Sequence, residues 1–278
     1  MIEVWSEMPV DRAESLMPQE ILTRLAHHVS RHPWWLARAR LVSRLIAMRM
    51  GPAPQRVLDV GCGWGVTLDH LERAGHHVTG MDIGRAGLEK LDKPDRRLIL
   101  GDIERGPIPQ TARGAFDVVL ALDVLEHLDD DMGALRNLAS LARPGGLVVV
   151  TVPARPDLWS EFDDIQRHKR RYLKHGLEKL FAQAIPGAAD SRAEVRVGYC
   201  WPWMTPLARW TRRRVRRDRA PGLSDAEIYE RYVRPPAWPA RQLIERLFRW
   251  SEAAILAGGQ RDGTSLLAWA RLGEAAPH

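Results

Sequence analysis

Two groups of titratable residues in this chain could move protons. Asp123, Glu126 and His127 directly follow an apolar run that ends at Leu122, and His168 lies further along the chain. Histidine suits general-base work because its ordinary pKa is close to neutral, and a base is needed when a weakly acidic alcohol must react. Asp123, His127 and His168 are therefore the predicted catalytic residues. A structural role for Glu126 and His127 in the turn stays open as the alternative.

A glycine-rich turn follows a second apolar run. Residues 57–60 are typical of a buried strand, and Gly61, Gly63 and Gly65 alternate directly after it. Glycines allow close approach of a ligand, and a helix that begins after them offers unpaired N–H groups to it. Asp82 ends the next apolar run roughly 20 residues later, where a carboxylate can accept both hydroxyl groups of a ribose. This spacing alone fits NAD as well as S-adenosylmethionine.

Alternating strands and helices must position these residues. The pattern predicts strands at residues 56–60, 77–82, 97–101, 116–122 and 147–152, and helices at 65–74, 85–92 and 130–142. Such alternation indicates a parallel sheet with right-handed crossovers. Open sheets of this kind bind ligands outside the carboxyl ends of their strands, which is where both groups of residues are expected. A further helix at 173–184 leads into an alternating strand at 194–199.

Five motifs follow one another in a characteristic order. They are LDVGCGWG at 58–65, MDI at 81–83, LGDIE at 100–104, FDVVLALDVLEH at 116–127 and RPGGL at 143–147. This series closely resembles the class I S-adenosylmethionine-dependent methyltransferases. The resemblance implies a doubly wound, Rossmann-like α/β sheet that is mostly parallel, with an antiparallel last strand at 265–270 beside the strand at 194–199.

The resemblance also implies which residues contact the cofactor, S-adenosylmethionine. The expected contacts are Asp59, Gly61, Cys62, Gly63, Gly65, Asp82, Ile83, Asp102, Ile103 and Leu122. The glycine turn would hold the methionine part, and Asp59 would order that turn or hold the amino group. Asp82 would bind the ribose, while Asp102 and Ile103 would contact the adenine.

A second group of motifs borders the expected substrate side of the sheet. LWSEFDD at 158–164 and HKRRY at 168–172 resemble a bacterial methyltransferase subgroup with a His-x-Arg-Arg-Tyr loop, and Arg167 departs from it where a glycine is usual. The predicted substrate-binding residues are Trp34, Trp159, Arg171 and Tyr172. Arg171 could clamp an anionic or carbonyl group. The alternative is a buried ion-pair network between Arg171 and Asp163 or Asp164 that holds the loop.

Length and composition limit the class of protein. A chain of 278 residues suits one large α/β domain with additions. It has no apolar run long enough to span a membrane and no basic-plus-apolar leader, which predicts a soluble, cytoplasmic protein. Its 2 cysteines, Cys62 and Cys200, suit neither a disulfide framework nor a zinc site, so no metal is expected.

The additions divide the chain into three parts. Residues 1–50 are predicted to form an N-terminal helical cap, of which 1–15 show no period and are expected to be loosely packed. Residues 51–200 and 264–274 form the predicted cofactor-binding core, and 201–263 are a helical insertion that serves as a lid or a dimer contact. The 11 tryptophans of the chain and the net charge of +6 are concentrated outside the glycine-motif core.

These observations predict a methyltransferase that acts on a small molecule. Tryptophans beside a cleft suit sugar faces or flat aromatic rings, so O-methylation of a glycan, polyketide or phenolic natural product is favoured, with N- or C-methylation as the near alternative. Tryptophans beside arginines at 201–219 also resemble an interfacial segment. A membrane-surface enzyme with a lipid-linked acceptor is therefore the second hypothesis, and nucleic acid is the least favoured partner.

Overall fold

The computed structural model describes residues 1–6, 25–215, 224–258 and 260–274 of the chain. The described residues form a sheet with the strand order β1-β4-β3-β2-β5-β6-β8-β7. Its strands are β1 (Ile2–Val4), β2 (Arg56–Val60), β3 (His77–Asp82), β4 (Arg97–Leu100), β5 (Phe116–Leu122), β6 (Ala142–Pro153), β7 (Glu194–Cys200) and β8 (Ser265–Arg271). Strand β8 runs antiparallel to both β6 and β7, and the other pairs are parallel. The predicted fold class is confirmed.

Helices cover both sides of the sheet. Besides a helical segment at residues 25–29, they are α1 (Pro33–Met50), α2 (Val66–Arg73), α3 (Arg85–Leu91), α4 (Asp131–Leu141), α5 (Glu161–Ile165), α6 (Lys174–Ala184), α7 (Met204–Val215), α8 (Asp225–Val233) and α9 (Ala240–Leu256). Residues 7–24 of the predicted N-terminal helical cap lie outside the described residues. None of the described helices combines the length and apolarity that crossing a membrane requires.

The N-terminal residues correct one prediction. Residues 1–15 were expected to pack loosely, but β1 pairs in parallel with β4, with Ile2 opposite Leu98. Trp5 follows it, is buried, and donates its backbone N–H to the carbonyl of Leu100 over 2.9 Å. A strand of three residues at the edge of a sheet is too short to leave a period in the sequence, so the pattern could not reveal it.

Alternation along the strands divides the core between the two faces of the sheet. On one face, Leu58, Val119 and Val148 pack with apolar residues of α4 and α6. On the other, Val57, Leu120 and Val149 pack with α1, α2 and α9. Helix α1 begins at Pro33, a residue suited to the first helical turn, and the Nδ1 of His32 accepts a hydrogen bond from the backbone N–H of Trp34. The second face is thus covered by helices from both ends of the chain.

The three helices after β7 are attached to the rest of the fold by specific contacts. Phe248 of α9 packs edge-on against Trp201 and Trp203. Tyr229 of α8 stacks on Phe162 of α5 with ring centroids 4.9 Å apart, and its hydroxyl donates to Gln166 over 3.1 Å. These contacts bring the segment between β7 and β8 beside the carboxyl ends of the central strands.

Candidate functional site

A cavity of about 540 Å³ opens outside the carboxyl ends of the central strands. Its floor is formed by residues that directly follow four parallel strands, namely Gly61 to Gly63, Asp82 and Ile83, Asp102 and Ile103, and Leu122 to Val124. Its walls come from α1, the loop around α5, α7 and α9. Strand β2 lies between β3 and β5, so the connections leave it in both directions. This crevice is the place where open parallel sheets bind ligands.

The glycine turn is held open toward this cavity. Gly61 donates its N–H to the carbonyl of Met81 over 2.8 Å, and Gly63 donates to the Oδ2 of Asp82 over 3.0 Å. Both glycines have positive φ, +69° and +48°. A Cβ at Gly63 would meet no described atom closer than 3.9 Å, so it would project into the cavity that Gly63 lines. The turn therefore fits a ligand that approaches the backbone closely.

Two carboxylates beside this turn have raised pKa values. Burial raises the pKa of Asp59 to about 7, with the negative charge of Asp82 adding to the rise and the positive charge of Arg38 opposing it. Burial also raises the pKa of Asp82, while hydrogen bonds from the backbone N–H groups of Gly84 and Gly63 oppose the shift. Each oxygen of Asp82 accepts one of these bonds. Because a carboxylate oxygen has two acceptor sites, Asp82 can still accept hydrogen bonds from a ligand.

Asp123 is engaged by a residue that the sequence did not single out. Arg38 of α1 forms an ion pair with the carboxylate of Asp123 and donates to the carbonyl of Leu122 over 3.2 Å. Its guanidinium also lies 5.1 Å from the ring centroid of Trp34. The ion pair and the contact with the backbone occupy Asp123 with Arg38, so they favour a positioning role for Asp123 over a base. The one sequence signal for Arg38 is an arginine that faces inward from the polar stripe of a helix. This pattern is too common to identify Arg38 as a functional residue.

His127 and His168 meet on one wall of the cavity. Their ring centroids lie 4.8 Å apart in an edge-to-face arrangement. The Nδ1 of His168 is 2.9 Å from the Oδ1 of Asp163, and its Nε2 is 4.0 Å from the Oε1 of Glu126. Asp163 is buried, which raises its pKa, but the hydrogen bond to His168 and the charge of Arg171 outweigh burial and lower that pKa to about 2. His168 is therefore oriented by an ionised carboxylate.

Glu126 lies behind this pair of histidines. It is fully buried, and among the described residues neither of its carboxyl oxygens has a hydrogen-bond partner. Burial raises the pKa of Glu126 well above its ordinary value, and the charge of Asp123 adds to this. Glu126, His127 and His168 also place one carboxylate and two imidazoles within 4.8 Å of one another, a set that could hold a metal ion.

Arg171 forms the ion pair of the predicted structural alternative and still lines the cavity. Its Nε donates to Asp163 over 2.7 Å and its Nη1 to the carbonyl of Ala154 over 2.8 Å. Trp34 lines the cavity as well. The two roles of Arg171, orienting Asp163 and facing a ligand, are compatible because a guanidinium has five donors.

Four predicted site residues do not line the cavity. Trp159 donates to Asp164 over 2.8 Å, and Tyr172 is buried with its hydroxyl 2.8 Å from the Oδ2 of Asp131. Asp59 is buried within β2, behind the glycine turn. Gly65 begins α2 with φ +72°, and a Cβ there would lie 2.7 Å from the side chain of Leu91. These side chains reach neighbouring protein groups, so contacts with a ligand would be indirect.

An aromatic wall completes the cavity. Trp34, Trp35 and Trp64 follow one another edge to face, with ring centroids 5.1 Å and 6.0 Å apart. Phe162, Trp203 and Phe248 line other parts of the same cavity. Burial lowers the pKa of His32 at its border to about 4, with the charge of Arg241 as the second cause. The excess of tryptophan was visible in the sequence, but which of these side chains face one cavity was not.

Comparisons with known proteins agree on one family. The model of a family described as a methyltransferase domain matches residues 34–206. A ubiquinone biosynthesis O-methyltransferase of Marinobacter nauticus is 37% identical over 118 residues, which are 39% of this chain and 48% of that protein. Its namesake in Cronobacter sakazakii is 27% identical over 195 residues, 63% of this chain and 74% of that one. The chain spans about half the length of several of these curated relatives.

Solved structures share the fold at low sequence identity. The plantazolicin methyltransferase BpumL in complex with SAH matches with a TM-score of 0.60 at 12% identity and 94% coverage of both chains. The [4+2]-cyclase SpnF matches with a TM-score of 0.56 at 18% identity and 99% coverage of both. At such identities the likeness shows the fold alone, and the same scaffold serves more than one reaction.

Proposed function

The chain belongs to the methyltransferase-domain family, and on that premise we propose that it transfers a methyl group from S-adenosylmethionine to a hydroxyl oxygen of a small phenolic acceptor. The match to the family model confirms the class that the sequence motifs resemble, the S-adenosylmethionine-dependent methyltransferases. The oxygen, the acceptor and the catalytic residues are our proposal, and the pairing of His168 with Asp163 on the cavity wall is the observation that supports it most.

The cofactor fits the floor of the cavity. Gly63 leaves room for close approach, the free acceptor sites of Asp82 suit ribose hydroxyls, and Asp102 with Ile103 is proposed to contact the adenine. When bound, S-adenosylmethionine supplies a methyl group that its sulfonium already activates. The protein then has to hold the acceptor oxygen in line, keep water away and remove one proton.

His168 is the proposed general base. Asp163 is ionised, so it accepts a hydrogen bond from Nδ1–H of His168 over 2.9 Å. Nε2 is thereby left with its lone pair and can take a proton from an acceptor hydroxyl. The charge that forms on the imidazole is balanced by Asp163, which Arg171 and the backbone N–H of Ser160 hold in place. His127 lies edge to face with His168 and is the second candidate for this role.

The acceptor class follows from the walls of the cavity and from the relatives. Tryptophan and phenylalanine rings suit a flat aromatic molecule, and the named relatives are O-methyltransferases of ubiquinone biosynthesis. A phenolic acceptor is therefore favoured over a glycan or a polyketide, and a base beside the cavity favours oxygen over an amine nitrogen. We keep a cytoplasmic location and a homodimer as proposals, since both come from the sequence alone.

The test compares two histidine variants. We expect His168→Gln to lower the rate of methylation of catechol by about 10²- to 10⁴-fold, the usual contribution of a general base. Asp163→Asn should also lose rate because the orienting charge is removed. His175→Gln is the matched control, since His175 is exposed on α6 and does not line the cavity. The rate is measured by S-adenosylhomocysteine release, and calorimetry checks that cofactor affinity is unchanged.

Unimpaired methylation by His168→Gln would contradict the assignment of the base. If His127→Gln alone abolished turnover, the neighbouring histidine would take that role. If neither variant lost rate, the protein would work by positioning an acceptor that is already deprotonated.

A further inference from the structure

The rim of the cavity is formed by the segment between β7 and β8. Leu207 of α7 lines the cavity and is 47% exposed, so it lies where the cavity meets solvent. Pro236 and Ile244 line the same opening from the turn before α9 and from its first turn. Side chains beside these three residues that point outward therefore surround the entrance.

Large apolar side chains are exposed along this rim. Among the described residues, five of the nine exposed large hydrophobic side chains lie on α7, on α9 or in the turn before α9, the elements that border the opening, and we call them the rim surface: Leu207, Trp210, Trp238, Leu243 and Trp250. Trp238 and Trp250 are 74% and 78% exposed. A soluble protein rarely leaves several large apolar groups together in water unless the surface binds something.

Helix α9 has a second apolar side. Phe248, Ser251 and Ile255 face the core. On the opposite side, Leu243, Trp250 and Ala254 are exposed, and their spacings of seven and four residues place them along one stripe. The stripe is unnecessary for packing this helix on its own chain. It gives the outer half of α9 an amphipathic character of its own.

Positive charge adjoins this stripe. Arg246 and Arg249 are exposed on the same outer half of α9, and within the described residues neither forms an ion pair with a carboxylate. The whole chain has a net charge of +6. Exposed tryptophan and leucine beside arginine are the composition of helices that lie in the interface of an anionic bilayer. Indole rings favour that interface because they are apolar with one polar end.

We propose that the rim surface docks on an anionic lipid membrane with the mouth of the cavity facing the bilayer. A second copy of the chain is a poorer occupant, because a twofold contact would bring two copies of the same arginine-bearing surface together. Phospholipid head groups instead offer the opposite charge. Docking in this orientation would let an acceptor dissolved in the bilayer reach the cavity without crossing water. The docking itself is independent of the methyl-transfer proposal.

Cosedimentation with vesicles tests the docking without any turnover. The wild-type protein should bind vesicles of phosphatidylglycerol and phosphatidylcholine more tightly than vesicles of phosphatidylcholine alone, and added salt should weaken binding. The triple variant Trp238→Ser, Leu243→Ser, Trp250→Ser should bind at least about tenfold more weakly, since apolar area no longer enters the interface. Arg246→Gln with Arg249→Gln should cost about thirtyfold at low salt, at the usual contribution of each arginine near an anionic surface.

Matched controls remove the same chemistry elsewhere. Met48→Ser with Leu173→Ser removes exposed apolar side chains outside the rim, and Arg192→Gln with Arg196→Gln removes exposed charge. Both should bind vesicles like the wild type. Circular dichroism and an unchanged thermal shift with S-adenosylhomocysteine verify that every variant folds.

Three results would overturn the proposal. The first is wild-type protein that stays in the supernatant with anionic vesicles, and the second is a triple variant that sediments as well as wild type. The third is a wild-type protein that does not bind vesicles but forms a dimer in light scattering or binds single-stranded RNA. In that case the triple variant would lose the dimer or the RNA binding and would not bind vesicles either. A wild-type protein that binds vesicles but does not methylate catechol would instead contradict the proposed function and leave the docking in place.

Discussion

At the residue scale, two buried carboxyl groups lie at the floor of the cavity and directly behind it, where bulk water does not screen their charge. The charge of Asp82, at the end of β3, raises the cost of ionising Asp59 on the neighbouring β2, and Arg38 opposes this effect. Asp82 is supported by two backbone N–H groups, while Asp59 is buried in the strand. Such a site favours a cationic ligand group, because a nearby positive charge lowers the pKa of a buried carboxyl.

Asp59 should make the stability of the free protein depend on pH. Its pKa is raised from 3.8 to about 7 on folding, so between these values the unfolded chain releases a proton that the folded chain retains. The free energy of unfolding therefore falls as pH rises through this interval. We expect Asp59→Asn to remove this fall, so that its stability relative to wild type rises by roughly 1.4 kcal/mol per pH unit between about pH 5 and pH 7. Urea denaturation at several pH values measures the difference.

Asp190→Asn is the control for that series. Arg192 lowers the pKa of the exposed Asp190, so the pKa shift of Asp190 has the opposite sign to that of Asp59. The Asp190→Asn variant should therefore still show the fall in the free energy of unfolding as pH rises. If the free energy of unfolding changed with pH in the same way for wild type and Asp59→Asn, the pKa of Asp59 would not be raised in the folded protein.

At the element scale, one buried ion network attaches α9 to α1. Glu252 of α9 is 2% exposed and lies between Arg40 and Arg44 of α1. Its Oε2 accepts from the Nη1 of Arg44 over 2.8 Å. The same two helices border the cavity through Arg38 and Ile244. The network therefore helps determine the position of one cavity wall relative to the other.

We expect Glu252→Ala to lower the free energy of unfolding by about 1–3 kcal/mol, because the variant leaves the largely buried guanidinium of Arg40 without its carboxylate, while Arg44 is half exposed to water. Glu245→Ala is the matched control on the same helix. Glu245 pairs with Arg241 at the surface, with a third of its side chain exposed, and its loss should change stability by at most about 1 kcal/mol. Denaturant titration of both variants decides the matter. Equal effects would indicate that the Glu252 network contributes no more than a surface pair.

The helices after β7 contribute to the core of the sheet. In the structure, Phe248 and Ile255 belong to the same apolar cluster as Val149 and Trp269 of the sheet. Deletion of these helices would therefore expose one face of the core, and single substitutions on the outer side of α9 are the cleaner probes of its role.

At the scale of the whole molecule, ligand binding should stabilise the folded protein by mass action. At a concentration of S-adenosylhomocysteine one hundred times its Kd, the free energy of unfolding should rise by about 2.7 kcal/mol. For a chain of this size that corresponds to an increase in Tm of roughly 5–10 °C. NAD should give no increase, which distinguishes the two cofactors that the position of Asp82 by itself allows. Differential scanning fluorimetry measures both.

Asp82→Ala provides the matched variant for this measurement. It removes an acceptor for ribose and also the carboxylate that holds the N–H groups of Gly63 and Gly84. Hydrogen bonds to a charged group contribute about 1.5–3 kcal/mol, so cofactor affinity should fall by about 10- to 150-fold. An undiminished increase in Tm for a folded Asp82→Ala protein would contradict the assignment of Asp82.

The sequence by itself determined the parts of the site that are contiguous in the chain. Strand β2, the glycine turn and α2 follow one another without interruption, so the types and spacing of residues 56–73 specify their geometry locally. The same is true of Asp82, which ends a strand beside that turn. The alternation of strands and helices then predicted a parallel sheet with right-handed crossovers, because crossovers have one favoured hand.

Only the tertiary structure decided which distant residues meet. Arg38 with Asp123, and His168 with both Asp163 and Glu126, come together through the docking of α1 and of the loop around α5 on the sheet. That docking depends on how side chains fill the space between elements, and a hydrophobic period records which face is buried without recording against what. For the same reason the excess of tryptophan was plain in the chain, whereas its division between an inner aromatic wall and an exposed rim was decided by packing.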